Sequence, residues 1–330
     1  MAKTRFMRRI QRHPFATLAT VVGLGLVVIV PVAWWTLTGP GMLAPPNEQA
    51  GTGPDRPGQP AEMLERGEAP SSYSEPPTGE RLARLQAALD AGQRALEGND
   101  LLTARVQFSA ALRAGPIDPQ ATEIRAKLVK LANQTIFSPE HFKGDPHTLM
   151  YLVQKGDTLS KIAKAHKVTP ELIARINNLG DKTIIREGAR LKVVRGPFNA
   201  VVRKREFVMD VFLDDIMVRT YKVGLGEHGS TPTGTWRIKN KLLNPSYFPP
   251  RGGKIIQADD PNNPLGEHWL GLEGVAGEAK NQERYGIHGT NEPNSIGKEM
   301  SLGCIRLHNA DVTELYMLLV IGDSQVTVTE

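Results

Sequence analysis

The sequence predicts a multidomain protein in which an apolar N-terminal segment precedes a helical region, a small βααβ unit and a mainly β C-terminal domain. The chain has 330 residues, which is more than one typical domain needs. Its hydrophobic pattern changes from a continuous apolar run to helical spacing and then to short strand-like runs. A Pro- and Gly-rich stretch follows the apolar run. We therefore expect two or three domains.

The N-terminal segment combines a basic cluster with a long apolar run. Five Lys and Arg residues lie within the first twelve positions, and the whole chain has a formal net charge of +5. Residues 13–47 contain no charged side chain, and Phe15 to Leu37 are mostly apolar. At about 1.5 Å per residue, a helix of this length crosses a hydrocarbon core of about 30 Å. We therefore predict a cytoplasmic basic segment over residues 1–14 and a single-pass transmembrane helix, the membrane anchor, over residues 15–38.

The basic cluster also sets the expected location of the remaining chain. Positive residues stay on the cytoplasmic side, and Trp34 and Trp35 suit the opposite interface. This places the protein in the inner (cytoplasmic) membrane with its C-terminal domain in the periplasm or cell wall. A cleaved signal peptide is the alternative, but two prolines directly follow Ala44, where small residues would mark a cleavage site. Because the excess charge lies outside the folded domains, the sequence does not favour nucleic-acid binding.

Two segments precede the βααβ unit. Residues 39–79 contain nine prolines and seven glycines, a composition that predicts a disordered linker. Residues 80–136 show helical spacing of leucines, with breaks at 98–100 and at Pro116 and Pro119. Three short helices are predicted, and they resemble a tetratricopeptide-like helical hairpin with one extra helix. The segment is either a packing spacer or a docking surface for an unknown protein partner.

Residues 150–195 have the pattern of strand, helix, helix and strand, with Thr158 and Thr169 at the starts of the helices. The positions that carry a resemblance to a lysin motif (LysM) are Val153, Gly156, Asp157, Thr158, Leu159, Ile162, Ala163, Val168, Asn177, Leu179, Ile184, Gly188 and Leu191. Such modules bind N-acetylglucosamine-containing glycans between two loops. The resemblance implies that Gly156, Asp157, Thr158 and Ile184 are glycan-binding residues. Leu159 and Ile184 fit core positions equally well.

Residues 197–330 are dominated by strand patterns and hold the only cysteine of the chain. Strand-like runs lie at 200–203, 207–213, 216–223 and 234–238. With one cysteine, neither an intramolecular disulfide nor a Cys-based zinc cage can form. Cys304 and His288 have the chemistry of a nucleophile and a base, while burial of the thiol as a small apolar residue is the alternative.

Four sequence blocks carry a second resemblance. They are Thr231-Pro232-Thr233-Gly234, Asn263-Pro264-Leu265-Gly266, Ile287-His288-Gly289-Thr290 and Ser301-Leu302-Gly303-Cys304-Ile305-Arg306-Leu307. In this order they resemble the catalytic domain of L,D-transpeptidases over residues 198–329. The resemblance implies a cofactor-free peptidoglycan enzyme that cleaves the terminal D-alanine from a tetrapeptide stem and forms three-to-three cross-links. An L,D-carboxypeptidase using the same site and a non-catalytic wall-binding anchor are the alternatives.

The resemblance also assigns the catalytic residues. Cys304 attacks as a thiolate, and His288 takes its proton and holds the resulting ion pair. The carbonyl of Gly289 orients the imidazole. Backbone N–H groups around Gly303 and Cys304 are expected to stabilise the tetrahedral oxyanion.

Other residues of these blocks are expected near the substrate. Arg306 fits a clamp for a substrate carboxylate and a structural ion pair about equally well, and Thr290 and Ser301 are placed in the substrate-binding set. Ser301 fits loop hydrogen bonding better than catalysis. Many relatives carry histidine where this chain has Leu302, so we expect an effect on substrate preference rather than on activity. A metal site is not predicted, since His228 and His268 lack the spacing of ligand pairs.

The lysin motif is expected to act as a tethered module. Tethering raises the effective concentration of an enzyme at its substrate without changing the catalytic site. We therefore expect deletion of residues 151–194 to weaken binding to insoluble peptidoglycan and to leave turnover of soluble stem peptides largely intact.

Overall fold

The computed structural model describes residues 78–180, 184–250 and 252–330. The predicted cytoplasmic segment, the membrane anchor and residues 39–77 of the predicted linker lie outside these ranges. Among the described residues, no helix combines the length and the apolar character that a membrane span requires. All described residues belong to one compact unit.

The described residues form six α-helices and twelve β-strands. The helices are α1 (Thr78–Glu97), α2 (Leu101–Arg113), α3 (Gln120–Thr135), α4 (Leu159–Ala165), α5 (Pro170–Ile176) and α6 (Asn309–Leu318). The strands are β1 (Thr148–Leu152), β2 (Arg190–Val194), β3 (Phe198–Arg203), β4 (Val208–Leu213), β5 (Ile216–Lys222), β6 (Leu225–Gly226), β7 (Gly234–Leu243), β8 (His268–Ala276), β9 (Tyr285–His288), β10 (Glu299–Ser301), β11 (Ile305–Arg306) and β12 (Gln325–Thr329).

The first three helices begin and end where the sequence breaks predict. Asp100 accepts a hydrogen bond from the backbone N–H of Thr103 at 3.0 Å and so caps α2. Pro119 directly precedes α3, where its fixed φ is compatible with a helix start. The prediction of three short helices in this region is confirmed.

The βααβ unit consists of an antiparallel pair, β1 and β2, with α4 and α5 between them. Thr158 and Thr169 cap these helices by accepting the N–H groups of Lys161 and Leu172, each at 3.2 Å. Leu159 is buried, so the core alternative applies to that residue. The lysin-motif architecture predicted from the sequence is confirmed.

The C-terminal residues form an eight-stranded sheet in the order β11-β9-β8-β7-β12-β3-β4-β5. Strands β7, β8 and β9 are antiparallel neighbours, whereas β11 runs parallel to β9. Helix α6 follows β11 and packs against β8 and β9. The prediction of a mainly β C-terminal domain is confirmed.

One hydrophobic core runs from the βααβ unit into the large sheet. Ile173 and Val193 of the small unit belong to the same buried cluster as Phe198 of β3. The hydroxyl of Thr169 also donates to the carbonyl of Met317 in α6 at 2.5 Å. Because the two regions share a core, the expectation of a module that can be deleted without consequence for the catalytic region is not supported by the fold.

Helices α2 and α3 pack on the outer strands of the large sheet. Phe108 of α2 packs in a second buried cluster with Met217 of β5, and the Ser109 hydroxyl accepts the Met217 backbone N–H at 3.2 Å. Arg125 of α3 donates to the buried carboxylate of Asp210 at 3.1 Å. Since β5 is the last strand of the sheet, the helices cover an edge that would otherwise expose unpaired backbone groups. This packing agrees with the spacer interpretation of the helical segment.

A buried polar cluster, here called the junction, lies where the helices meet the βααβ unit. It consists of Arg105, Asp145, His147 and Lys192, all buried. Arg105 donates to both carboxylate oxygens of Asp145, at 2.5 and 3.2 Å, and Asp145 also accepts the backbone N–H of His147 at 3.0 Å. Lys192 donates to three backbone carbonyls at and beyond the end of α3, including that of Thr135 at 2.7 Å. The junction therefore fixes the helices to the lysin motif by a buried ion pair and hydrogen bonds, with Nε of Arg105 the one buried side-chain atom of the cluster that has no partner among the described residues.

Candidate active site

A row of four residues crosses the strands at one end of the large sheet. Strand pairing aligns Leu242 of β7 with Trp269 of β8, Trp269 with His288 of β9, and His288 with Arg306 of β11. Residues paired across neighbouring strands project from the same face of a sheet. The imidazole of His288 therefore lies between an indole and a guanidinium.

Cys304 directly precedes β11 and lies next to this row. The register pairs Ile305 with Ile287, so Cys304 falls beside Gly286, whose backbone hydrogen bonds the thiol. Alternation along the chain puts Cys304 on the face of Arg306, which is also the face of His288. The structure thus places the predicted nucleophile directly before β11 and the predicted base at the end of the neighbouring strand β9, on the same face.

The turn before Cys304 requires glycine. Gly303 has φ +128°, and a Cβ there would lie 2.7 Å from the Tyr285 ring and 2.9 Å from the carbonyl oxygen of Ser230. Its N–H donates to the Ser301 hydroxyl at 3.1 Å, so the prediction that this N–H binds the oxyanion gains no support from the structure. Within the described ranges, the N–H of Cys304 has no hydrogen-bond acceptor. Gly303 therefore shapes the turn, and Cys304 supplies the free backbone donor.

His288 is held in a defined orientation. Its Nδ1 lies 2.6 Å from the carbonyl oxygen of Gly289, a geometry in which Nδ1 donates and Nε2 is left as the basic nitrogen. The indole of Trp269 stacks on the imidazole with ring centroids 5.7 Å apart and an interplanar angle of 17°. The expected contact between Gly289 and the imidazole is therefore present.

Burial keeps both reactive groups neutral. It lowers the pKa of His288 to about 4; the hydrogen bond to Gly289 opposes this shift, and the positive charge of Arg306 adds to it. Burial also raises the pKa of the Cys304 thiol, against the opposing effects of the Gly286 hydrogen bond and Arg306. These shifts disfavour the thiolate and imidazolium ion pair expected from the sequence. The physical reason is that an imidazolium at His288 would be buried beside the positive charge of Arg306.

Arg306 takes part in an ion pair at the edge of the site. Its Nη1 donates to the carboxylate of exposed Glu292 at 2.9 Å. Its Nε is buried and has no partner in the part of the chain that the structure describes. The ion-pair alternative is thus realised.

The two hydroxyl residues of the predicted substrate-binding set are buried and engaged in internal hydrogen bonds. Ser301 donates to the carbonyl of Cys304 at 2.6 Å, and the Thr290 hydroxyl accepts the backbone N–H of Glu292 at 2.9 Å. Each hydroxyl satisfies a local backbone group, so their assignment as substrate contacts gains no support from the structure and stays a prediction. Leu302, in contrast, is 56% exposed beside the nucleophile.

The predicted glycan loop of the lysin motif is tied down by its own polar side chains. Asp157 accepts the hydroxyl of Tyr151 at 2.9 Å and the backbone N–H of Gln154 at 2.8 Å. Thr158 is engaged as the cap of α4, and Gly156 has φ +81°, as the turn requires. These three residues shape the loop.

Ile184, on the opposite side of the predicted groove, is 85% exposed. A side chain this accessible is not part of the core, so the core alternative for Ile184 does not apply. Together with the loop at 156–158, it offers an apolar contact at the surface where the sequence places the glycan.

The remaining histidines of the catalytic region have structural surroundings. His228 is exposed in a turn with φ +54°. His268 packs edge-on against Tyr316, with ring centroids 4.9 Å apart, and its Nδ1 lies 3.3 Å from the Thr313 hydroxyl. In residues 78–180, 184–250 and 252–330, no group of three or more His, Cys, Asp or Glu residues is arranged to hold a metal ion.

Sequence reasoning missed three residues that surround His288. Trp269 stacks on it, and Gly286 makes room for that indole, because a Cβ at Gly286 would lie 2.4 Å from the ring. Asn309 hydrogen bonds the chain just after His288, accepting the backbone N–H of Thr290 at 2.9 Å. Each contact depends on strand register or on the packing of α6, and a sequence pattern shows neither.

Comparison with known proteins agrees with both resemblances. Residues 197–328 match the L,D-transpeptidase catalytic domain (YkuD) family, and residues 151–194 match the LysM domain family. YkuD of Bacillus licheniformis, which its name assigns to the L,D-transpeptidases, is 34% identical over 189 residues, covering 55% of this chain and 99% of that protein. Its Bacillus subtilis counterpart is 31% identical over 188 residues, covering 54% and 98%. Among solved structures, an L,D-transpeptidase from Mycobacterium smegmatis is 17% identical with a TM-score of 0.32, covering 43% of this chain and 64% of that chain.

Proposed function

The chain belongs to the L,D-transpeptidase family, and on this premise we propose that it forms three-to-three cross-links in peptidoglycan through an acyl-enzyme on Cys304. The strongest support is the arrangement of His288, whose Nδ1 is bound to Gly289 so that Nε2 is free to act as a base. The donor is a tetrapeptide stem, cleaved between the diamino acid at its third position and the terminal D-alanine.

Acylation begins from neutral groups. Nε2 of His288 takes the thiol proton as the sulfur of Cys304 attacks the carbonyl carbon of the third residue. The C–N bond then breaks, and the imidazolium returns the proton to the amine of the leaving D-alanine. The products are free D-alanine and a thioester between Cys304 and the shortened stem. Because burial disfavours both charged forms, a proton transfer that accompanies the attack is favoured over one that precedes it.

The developing negative charge needs a donor at the carbonyl oxygen. The N–H of Cys304 is available for this role, since it has no acceptor among the described residues. Arg306 adds a positive charge on the same face, which favours a carboxylate of the stem.

Deacylation transfers the acyl group to a second stem. Its side-chain amine attacks the thioester carbonyl and loses a proton to His288, which passes the proton to the departing sulfur, so that an amide bond forms and the thiol is restored. Water in place of the amine would give the carboxypeptidase reaction.

The lysin motif supports action on the polymer. We infer that the loop at 156–158 and Ile184 contact N-acetylglucosamine-containing glycan. Because the motif shares a core with the large sheet, glycan binding would hold the active site in one orientation relative to the strand. The predicted anchor at 15–38 would place this unit in the periplasm or cell wall, attached to the inner membrane.

The proposal is tested by mass spectrometry on residues 78–330 with tetrapeptide stems. Without an acceptor, the wild-type protein should carry an adduct equal to the stem minus D-alanine, and with acceptor stems it should release three-to-three dimers. Cys304→Ala should give neither product, and His288→Ala should slow acylation by roughly a hundred- to ten-thousand-fold.

Two outcomes would decide against the proposal. Release of D-alanine by the Cys304→Ala protein at the wild-type rate would exclude the thiol mechanism. Production of shortened monomeric stems alone, at any acceptor concentration, would identify a carboxypeptidase.

A further inference from the structure

Asn309 is connected to the catalytic base through a single peptide group. The carbonyl of Gly289 and the N–H of Thr290 belong to the same peptide unit. The carbonyl accepts from Nδ1 of His288 at 2.6 Å, and the N–H donates to Oδ1 of Asn309 at 2.9 Å. A continuous hydrogen-bonded chain therefore runs from the imidazole to the first residue of α6.

The Asn309 side chain fits closely into a space next to two glycines. A Cβ at Gly289 would lie 2.1 Å from Oδ1 of Asn309, and a Cβ at Gly266 would lie 2.7 Å from the same atom. Two glycines from separate loops thus leave the space that the amide oxygen occupies. Any larger residue at either position would push the amide away from Thr290.

Capping of α6 does not explain this contact. The residue at the cap position is His308, whose side chain makes no cap hydrogen bond. Oδ1 of Asn309 accepts from Thr290, which lies outside the helix, and not from a free N–H of the first turn. The asparagine is therefore directed at the catalytic loop.

We propose that Asn309 is a positioning residue for His288, acting through the peptide group between Gly289 and Thr290. A peptide whose N–H is hydrogen bonded becomes a better acceptor at its carbonyl, because chained hydrogen bonds polarise one another. A better acceptor favours the tautomer with hydrogen on Nδ1, which leaves Nε2 to accept the proton of Cys304. The inference rests on the proposed function for its kinetic consequence, whereas its effect on the tautomer is independent of any reaction.

The test compares four variants with wild type. Asn309→Ala removes the acceptor, and Asn309→Ser shortens the side chain so that its oxygen no longer reaches Thr290. Asn309→Asp keeps an acceptor at the same reach. Thr313→Ala is the matched control, because it removes the hydrogen bond from the Thr313 hydroxyl to the backbone carbonyl of Asn309 and leaves Oδ1 untouched. Thermal unfolding establishes which variants are folded.

Two readouts are needed. Nitrogen-15 NMR of the imidazole should show hydrogen on Nδ1 of His288 in wild type, in Asn309→Asp and in Thr313→Ala, and a mixture of tautomers in Asn309→Ala and Asn309→Ser. The kcat for acylation should fall by about 10- to 100-fold in Asn309→Ala and Asn309→Ser with KM unchanged, the range found for partners that orient a metal-bound histidine. Asn309→Asp should restore kcat.

The inference is overturned if folded Asn309→Ala or Asn309→Ser protein keeps both the wild-type tautomer and the wild-type kcat. An equal loss in Asn309→Asp would also overturn it, since the acceptor is then not what matters. If the tautomer shifts as expected while even wild-type protein forms no adduct on Cys304, the proposed function fails and the positioning of His288 by Asn309 stands.

Discussion

The junction and the active site both bury ionisable groups, but they do so with opposite results. At the junction, burial favours the neutral form of Asp145, yet hydrogen bonds from His147 and Arg105 outweigh it and hold the carboxyl pKa well below its ordinary value. At the active site, burial dominates, so the pKa of His288 falls to about 4 and that of Cys304 rises. The exposed fractions of Asp145 and His288 are similar, whereas the number of their hydrogen-bond partners differs.

This difference separates structural from reactive groups. A buried charge with several hydrogen-bond partners remains ionised and specifies how elements dock. A buried group with few hydrogen-bond partners stays neutral, and it can still donate or accept a proton when a substrate binds. In this protein, the first arrangement joins the helices to the lysin motif, and the second surrounds Cys304 and His288, the residues that the proposed acyl transfer would use.

Deleting the lysin motif should give the largest effect. Removal of residues 151–194 would expose Phe198 and other members of the shared core, so we expect loss of the folded catalytic region rather than loss of wall binding alone. Circular dichroism and adduct formation on Cys304 measure the two consequences. A deletion protein with intact folding and turnover would show that the shared core is dispensable and would restore the tethered-module interpretation.

Breaking the junction should destabilise the protein without altering the chemistry of the site. Asp145→Ala leaves Arg105 buried without its carboxylate, and loss of one partner of a buried pair costs about 3–5 kcal/mol in the free energy of unfolding. Urea unfolding measures this change. The exposed pair between Glu80 and Arg84 is the matched control, since Glu80→Ala should cost no more than about 0.5 kcal/mol. Similar losses in the free energy of unfolding for Asp145→Ala and Glu80→Ala would contradict the expectation that the buried ion pair contributes more than the exposed one.

The two regions should also respond differently to acid. The folded-state pKa of Asp145 lies below the ordinary value of 3.8, so its contribution to stability is present above pH 3.8 and is lost as the pH falls below it. Acid unfolding of wild type and Asp145→Asn measures this effect, and the variant should lose that part of the pH dependence. An unchanged acid transition in the variant would argue that Asp145 is not held as a carboxylate.

Protonation of His288 should lower both the stability and the activity of the protein at low pH. His288 is protonated near pH 4 in the folded protein and near 6.5 when unfolded, so between these values the unfolded state binds the extra proton and stability falls as the pH decreases. Because the base must be neutral to accept a proton, kcat/KM should decline on the acidic side near pH 4. Because the pKa of the Cys304 thiol is raised, its alkylation between pH 5 and 6.5 should be no faster than that of a free cysteine. An acidic limb near 6.5 with rapid alkylation would indicate an ion pair in the resting site.

Local sequence determined a large part of this protein. Caps such as Asp100 and Thr158 act within three residues of themselves, so the helix starts could be predicted from the chain alone. The blocks around His288 and Cys304 identify the reactive pair because their residue types and order are specific. The turn at Gly303 also follows from sequence, since only glycine readily takes its positive φ.

Tertiary structure decided everything that depends on which distant residues meet. Strand register places Trp269 and Arg306 on either side of His288, and the docking of α6 brings Asn309 to Thr290. The pKa of a buried group is set by the partners that surround it, and for His288 these come from several elements that are separate in sequence. The sequence therefore determined the identity of the reactive groups, and the fold determined their protonation, orientation and rigid attachment to the lysin motif.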